Sequence, residues 1–141
     1  MKKSLTCALL VDDDRATNFF NKSIVSRHSD IKEVVTKENA TRALAYLDKA
    51  SKGLATIPDI IFLDLNMPAM NGWEFITEFQ KLDSNFTSKI KLVILTTSSN
   101  PDDFMRSQDI EAIDDYINKP LSLKLIDELL ENHFYNISPK L

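Results

Sequence analysis

Four groups of residues, far apart in the chain, carry side chains that can handle a phosphoryl group. Asp12-Asp13-Asp14 closes the apolar run Leu9-Leu10-Val11, and Asp64 closes Ile60-Ile61-Phe62-Leu63. The hydroxyl pair Thr96-Thr97 closes Leu92-Val93-Ile94-Leu95, and Lys119-Pro120 follows Tyr116-Ile117. Adjacent carboxylates repel unless a cation sits among them. Mg2+ suits such a site, because it is hard, octahedral and oxygen-seeking and takes few protein carboxylates while keeping its waters. Asp13 and Asp64 can supply two oxygens, the backbone carbonyl of Asn66 a third, and Asp12 can hold a coordinated water. A carboxylate can also act as a nucleophile and form an aspartyl phosphate. Phosphoryl transfer then asks for in-line positioning and for favourable partners on the equatorial oxygens. Lys119, Mg2+ and the Thr96 hydroxyl would serve one oxygen each. Taken singly, every member has an ordinary explanation: acids favour helix N-termini, Asp forms turns, and strand-end threonines and solvated lysines are common. The combination is harder to explain away.

The elements that must bring these groups together alternate regularly. Leu5–Val11 is unbroken in hydrophobicity and reads as a strand buried on both faces. Arg15–Arg27 follows as a helix with Phe19, Phe20, Ser23, Ile24 and Arg27 near helical spacing. Ile31–Thr36 suits a second strand, and Asn39 caps a helix striped by Ala43, Leu44, Leu47 and Ala50, with Gly53 where it should stop. Asp59–Leu63 is a third strand. After it, Asn66-Met67-Pro68-Ala69-Met70-Asn71-Gly72 reads as a turn, with a left-handed corner expected at Asn-Gly. Trp73, Phe75, Ile76, Phe79 and Leu82 stripe the next helix. Ile90–Leu95 is a fourth strand, and Asn100-Pro101-Asp102-Asp103 opens a short helix with a cap, a first-turn proline and two dipole-matched acids. Ile113–Asn118 is a fifth strand. Ser122 caps a last helix carrying Leu125, Ile126, Leu129 and Leu130, and a frayed tail is expected after Tyr135.

Strand and helix thus alternate five times, which calls for a parallel sheet covered on both faces. Ligands of such sheets bind beyond the carboxyl ends of the strands, near the point where strand order reverses. All four groups lie at those ends. The 141 residues suit one domain. A net charge of −4 argues against a general nucleic-acid binder. The single cysteine, Cys7, excludes an internal disulfide and a multi-cysteine metal site, and reads as a small buried hydrophobe. No stretch approaches the roughly 18 apolar residues of a membrane helix, and the apolar run ending at Val11 is too short for a signal peptide. A soluble, cytoplasmic protein is expected.

The spacing also resembles a known family. Leu10-Val11-Asp12-Asp13, Leu63-Asp64-Leu65-Asn66-Met67-Pro68 with Asn71-Gly72, Leu95-Thr96, and Tyr116-Ile117-Asn118-Lys119-Pro120 are similar to the motifs of the response-regulator receiver domain, the chemotaxis-type receiver. The likeness runs from about Leu5 to His133, and its most specific block is Asp-x-Asn-Met-Pro-x-x-Asn-Gly. It implies a flavodoxin-like doubly wound α/β fold, five parallel strands in the order 2-1-3-4-5. It implies a single receiver domain over 1–141, with a core at about 5–134, a tail at 135–141 and no output domain. It makes Asp64 the phosphoacceptor, Asp12 and Asp13 the metal-site acids with Mg2+ as cofactor, Thr96 the switch hydroxyl, Lys119 the phosphate-contacting lysine and Tyr116 the switch aromatic. The Lys119-Pro120 bond is typically cis in the family.

The implied task is a two-component signalling switch. A phosphohistidine on a sensor kinase or histidine phosphotransfer protein donates to Asp64. Thr96 then draws in the Thr97–Pro101 loop, Tyr116 rotates inward, and a partner face formed by the fourth helix, fifth strand and fifth helix changes, roughly Asp102 to Leu130. Phe104 and Met105 belong to that face, with at least one of them expected in the core. Downstream action would be through another protein, or by passing the phosphoryl group onward as a relay shuttle. His28 and His133 are expected at surface or helix-end positions, away from the site.

Rivals come from other classes. A vestigial receiver would be a constitutive interaction module, against which the presence of all five central residues argues. A Mg2+-dependent phosphohydrolase shares the acids, threonine and lysine, but usually places its nucleophile on the first strand with a second acid two residues on; position 66 is Asn. A flavin site would need a phosphate-binding loop after the first strand, which is absent. Two departures from the family pattern stand out: Asp114-Asp115 precedes the switch aromatic in place of small residues, and Thr97 stands where Ala or Gly is frequent. Thr97 and Asn66 are expected to modulate access. A β-branched residue at 97 restricts water and phosphodonor entry, so Thr97→Ala should dephosphorylate several-fold faster; an unchanged rate in a decay assay would sink the idea.

Overall fold

The computed structural model describes residues 5–134, so the expected tail lies outside the described residues. Five strands form one sheet: β1 (Leu5–Val11), β2 (Ile31–Lys37), β3 (Ile60–Leu63), β4 (Lys91–Thr96) and β5 (Asp115–Asn118). Their order is β2-β1-β3-β4-β5 and every pairing is parallel, as expected. The order follows hydrophobicity. β3 is buried throughout and β1 and β4 nearly so, as interior strands must be, while β2 and β5 are half-exposed edges.

Alternating side chains divide the core in two. Leu9, Val11, Ile61, Leu63, Leu92 and Ile94 face α2 (Ala40–Ser51) and α3 (Gly72–Gln80). Ala8, Leu10, Ile60, Phe62, Val93 and Leu95 face α1 (Arg15–Ser26) and α6 (Leu123–His133). Cys7 is fully buried, and burial pushes its thiol up to about 11, so it behaves as the expected small hydrophobe. Among the described residues no helix is long and apolar enough to cross a membrane.

Local stop and start signals act as the sequence suggests. Asn39, Asn100 and Ser122 each accept a first-turn N–H and cap α2, α5 (Pro101–Gln108) and α6. Gly53, at φ +78°, ends α2: its N–H donates to the Ala50 carbonyl and the Leu54 N–H to that of Lys49.

Four expectations are corrected. First, α1 does not bury its phenylalanines: Phe19 is 78 % and Phe20 47 % exposed, while Asn18, Asn21 and Val25 face inward. The rotation is set at the helix start, where Asp14 caps through the Ala16 N–H and Thr17 hydroxyl and Asn18 reaches back to the Asp12 carbonyl. Second, a short helix, α4 (Ser84–Thr87), precedes β4, making six helices among the described residues. Four residues are too few to show periodicity; an Asp83 cap and the burial of Phe86 hold it. Third, neither Phe104 nor Met105 is in the core, because Ser107 is the one buried residue of α5.

Fourth, the left-handed corner after β3 falls at Ala69, φ +68°, and not at Asn71-Gly72. Asn71 is instead an N-cap in a reciprocal capping box: its side chain accepts the Glu74 N–H, and Glu74 accepts the Asn71 N–H, each at 2.9 Å. Gly72 is needed for close approach. A Cβ there would lie 2.7 Å from the Asp64 carbonyl oxygen and 2.8 Å from the Leu65 Cα, both backbone atoms that cannot turn aside. Gly72→Ala should therefore destabilise the protein by about 1–3 kcal/mol, read as a lower denaturation midpoint. It should also shift the backbone amide signals of Asp64 and Leu65.

Candidate functional site

The sheet's register aligns the site. Lys37, Val11, Leu63, Ile94 and Tyr116 are paired across all five strands as one row. One residue further along their strands lie Asp12 and Asp64, on the two central strands between which the strand order reverses. The Asp64 N–H donates to the Val11 carbonyl at 2.9 Å, holding the two strand ends together. Beyond Asp64 the chain alternates, with Leu65 and Met67 buried in the core and Asn66 exposed. Gly72 closes this loop through its N–H to the Leu65 carbonyl.

The acidic run divides by role. Asp14 caps α1, whereas single carboxylate oxygens of Asp12, Asp13 and Asp64 lie within 4.8 Å of one another. Asp12 and Asp64 are buried and Asp13 is exposed. Lys119 reaches in from the end of β5: its Nζ is 2.6 Å from Asp12 Oδ2 and 3.6 Å from Asp64 Oδ1, and its side chain is largely buried. The Lys119-Pro120 bond, which the sequence left open, is cis, and the Lys119 N–H donates to the Thr96 carbonyl. Asp12 Oδ1 accepts the Asp14 N–H, so both Asp12 oxygens have donors.

Burial, first, and the Asp12 charge, second, push the Asp64 carboxyl up to about 6, with Asp13 adding to the rise; Lys119 and the Asn66 backbone N–H oppose it. Three oxygen donors around a charge-starved space fit a hard divalent cation such as Mg2+. Among them Asp13 is the exposed member, open to water-bound ligands.

Thr96 is fully buried at the end of β4, its hydroxyl accepting the Ser98 N–H at 3.1 Å. Thr97 is exposed. Tyr116 stands on the edge strand in the row below Asp64, its ring edge-on to Phe104 at 5.4 Å between centroids. Its hydroxyl is buried and lacks a hydrogen-bond partner among the described residues. Burial raises its pKa, and the Asp103 charge adds to the rise. The structure thus gathers Asp12, Asp13, Asp64 and Lys119 at one point, and Thr96 and Tyr116 along the adjoining strands.

Two residues that the sequence did not single out belong to this region. Ser98 ties the β4–α5 loop together: its hydroxyl donates to Asp103 at 2.5 Å and accepts the Asn100 N–H, and its carbonyl accepts from Asn118. Asn18 donates to the Asp12 carbonyl from inside α1. Nothing in a lone serine or a mid-helix asparagine marks such roles. The Asp114-Asp115 departure is also explained. Asp114 accepts the Leu92 N–H at 2.8 Å, pinning β4, and Asp115 pairs with His133 at 3.1 Å.

A family model for the response regulator receiver domain matches residues 8–131. The chain belongs to the response regulator receiver family. As a receiver it is 27 % identical over 124 residues to response regulator Rcp1 of Synechocystis, covering 87 % of this chain and 82 % of Rcp1. A two-component response regulator from Cytophaga hutchinsonii superposes with a TM-score of 0.83 at 29 % identity, covering 92 % of this chain and 96 % of that one. The phosphorylated cyanobacterial phytochrome response regulator RcpA gives 0.71 at 30 % identity, covering 94 % and 91 %. The receiver also spans 27 % of a probable cyclic di-GMP phosphodiesterase of Vibrio cholerae, to which it is 28 % identical over 131 residues.

The raised Asp64 carboxyl has a sign that can be measured. Between about pH 4 and 6 the folded receiver holds a proton that the unfolded chain has released, so stability falls as pH rises through that window. Asp64→Asn removes the crowded charge. It should raise stability at pH 7 by about 1 kcal/mol after solvent screening, and flatten the fall between pH 4 and 6. Melting curves across that range check both.

Proposed function

We propose that this receiver is a phosphorylation-dependent signalling switch of a two-component system, with Asp64 as its phosphoacceptor. The observation that carries the reading is Asp64 itself: a buried carboxylate at the mouth of β3 with an ammonium 3.6 Å away and two further acids within reach. A phosphohistidine of a sensor kinase or histidine phosphotransfer protein is the donor. A carboxylate oxygen of Asp64 forms the new P–O bond as the P–N bond breaks, and the imidazole nitrogen keeps the electron pair. Asp12, Asp13, Asp64 and the Asn66 carbonyl would hold Mg2+, which when bound neutralises the acids and one phosphoryl oxygen. Lys119 moves its charge from Asp12 to a second oxygen, and the Thr96 hydroxyl serves the third. That RcpA has been obtained phosphorylated supports the same chemistry here.

The donor's approach is favoured beside α1, where Ala16, Thr17, Phe20, Asn21, Lys119 and Pro120 line an open, mainly apolar hollow of about 300 Å3. Phe20, one of these, is 47 % exposed, and its neighbour Phe19 is more exposed still. Thr97 and Asn66, both exposed and lying one residue beyond Thr96 and two beyond Asp64, would govern access by water and donor.

The output face is α5, β5 and α6, where Phe104, Met105 and Leu123 are exposed. The Thr96 hydroxyl accepts the Ser98 N–H, so a movement of that oxygen toward a phosphoryl group would pull on the loop to α5. Tyr116 needs little inward rotation, since its hydroxyl is already buried; a shift of the β4–α5 loop would give that hydroxyl the partner it lacks among the described residues. A turnover phosphohydrolase is not favoured: among the described residues the acids gathered beside Asp64 are Asp12 and Asp13, the groups that crowd it. Relay and terminal output share this site and differ only in the acceptor.

Trp73 on α3 reports the switch, because the Arg106 guanidinium of α5 stacks 4.3 Å from its ring centre. Acetyl phosphate or beryllofluoride with Mg2+ should change Trp73 emission in the wild type and leave Asp64→Asn unchanged. An intact-mass gain of one phosphoryl group on the wild type alone completes the test. No mass gain on the wild type with either acetyl phosphate or a phosphohistidine donor would refute the function.

A further inference from the structure

Asn18 sits on the inner face of α1, 4 % exposed, directly behind the acidic site. Its Nδ2 donates to the Asp12 carbonyl at 2.8 Å and, more weakly, to the Lys37 carbonyl at 3.4 Å. The Lys37 carbonyl also accepts the Asp12 N–H at 3.2 Å. One amide therefore spans the carboxyl ends of β1 and β2, and the main chain of Asp12 is held on both its N–H and its C=O side. With Oδ1 of Asp12 fixed by the Asp14 N–H, the remaining freedom of that side chain is small.

The other half of the amide is wasted. Asn18 Oδ1 is buried and has no partner among the described residues. The cleft that Asn18 and Asn21 share with Asp12, Asp64, Leu10, Phe62 and Leu95 has no room for a water molecule that could satisfy it. A buried acceptor without a donor opposes folding. Leucine has nearly the same shape and removes this orphan, but it also gives up the donor to the Asp12 carbonyl, so the two effects on stability oppose each other. Packing alone does not account for an asparagine at this position.

We infer that Asn18 is a positioning residue for the acidic site, fixing the Asp12 carboxylate for its cation through the Asp12 main chain. The inference rests on the proposed Mg2+ site. It separates two quantities that a purely structural role would move together. A structural clasp predicts that its loss lowers stability. A positioning clasp predicts that its loss spares stability and weakens the cation, because groups that orient metal ligands typically govern affinity by 10–100-fold.

The test is a calorimetric Mg2+ titration of the wild type, Asn18→Leu and Asn18→Ser, with melting curves of each in EDTA. Asn18→Ser, smaller and still polar, keeps the comparison available where leucine disturbs folding. The expected result is an Mg2+ dissociation constant raised about tenfold or more in both variants, with Asn18→Leu melting close to the wild type because one buried orphan replaces another. Acetyl phosphate should still modify both variants once Mg2+ is saturating. Wild-type Mg2+ affinity in either folded variant overturns the inference and leaves the switch function standing. A large drop in the Asn18→Leu melting temperature without a change in affinity does the same. A wild type that binds no Mg2+ overturns the inference together with the proposed metal site.

Discussion

Two carboxylates buried side by side at the edge of a parallel sheet cannot both stay ionised without a positive charge between them. In this receiver that charge is Lys119, 2.6 Å from Asp12 and 3.6 Å from Asp64. Much else follows. The lysine must come from the far edge strand, so β5 has to pair with β4 in the register that sets Asn118 beside Thr96. The Lys119 N–H on the Thr96 carbonyl fastens that end of the strand. The neutralisation is incomplete, since Asp64 remains pushed up to about 6. An incompletely neutralised carboxylate is a better receptor for a cation and for a phosphoryl group than a saturated ion pair would be.

The loops around the site carry unfavourable conformations that stability alone would remove. Ala69 holds a left-handed backbone at φ +68°, which costs an L-residue roughly 1–2 kcal/mol. Gly72 allows α3 to start against the Asp64 carbonyl itself. Helix α1 turns two phenylalanines to solvent and two asparagines inward, reversing the pattern that burial favours. These features cluster at the carboxyl end of the sheet, and the opposite end is built conventionally, with Asp59 accepting the N–H groups of Thr6 and Cys7. Such clustering is where functional demand overrides packing.

That contrast also explains what could be read from the sequence. Central strands, helix caps and the Gly53 stop were legible because each follows from local chemistry: hydrophobic runs, side chains that accept first-turn N–H groups, and a residue tolerant of positive φ. The four converging groups were legible because parallel topology forces strand ends together. The rotation of α1 was not, since two adjacent phenylalanines dominate any apolar stripe; the Asp14 cap and the Asn18–Asp12 bond, both near-local but polar, decide it. The left-handed corner was misplaced because Asn-Gly ordinarily marks one, and here Asn71 was already committed to its capping box. Helix α4 and the hub at Ser98 depend on tertiary partners, which periodicity does not encode.

The two helices flanking β5 are held very differently, and this asymmetry determines how a change at Asp64 can travel. Helix α6 is anchored at its middle and at its C-terminal end. His28 accepts the Asp30 N–H at Nδ1, so its Nε2 carries the proton donated to Asp127 at 2.7 Å, and His133 pairs with Asp115. Its Ile126, Leu129 and Leu130 are buried besides. Helix α5 buries only Ser107 and leans on side-chain contacts, Phe104 against Tyr116, Arg106 over Trp73 and Asp103 on the Ser98 hydroxyl. A ligand shifts an equilibrium only by its differential interaction with the two states. One hydroxyl and one lysine rearranging around a phosphoryl group supply a few kcal/mol at most. That is too little to lift a packed helix such as α6, and enough to bias α5, whose position depends on a loop hydrogen-bonded through Ser98 to Thr96 itself.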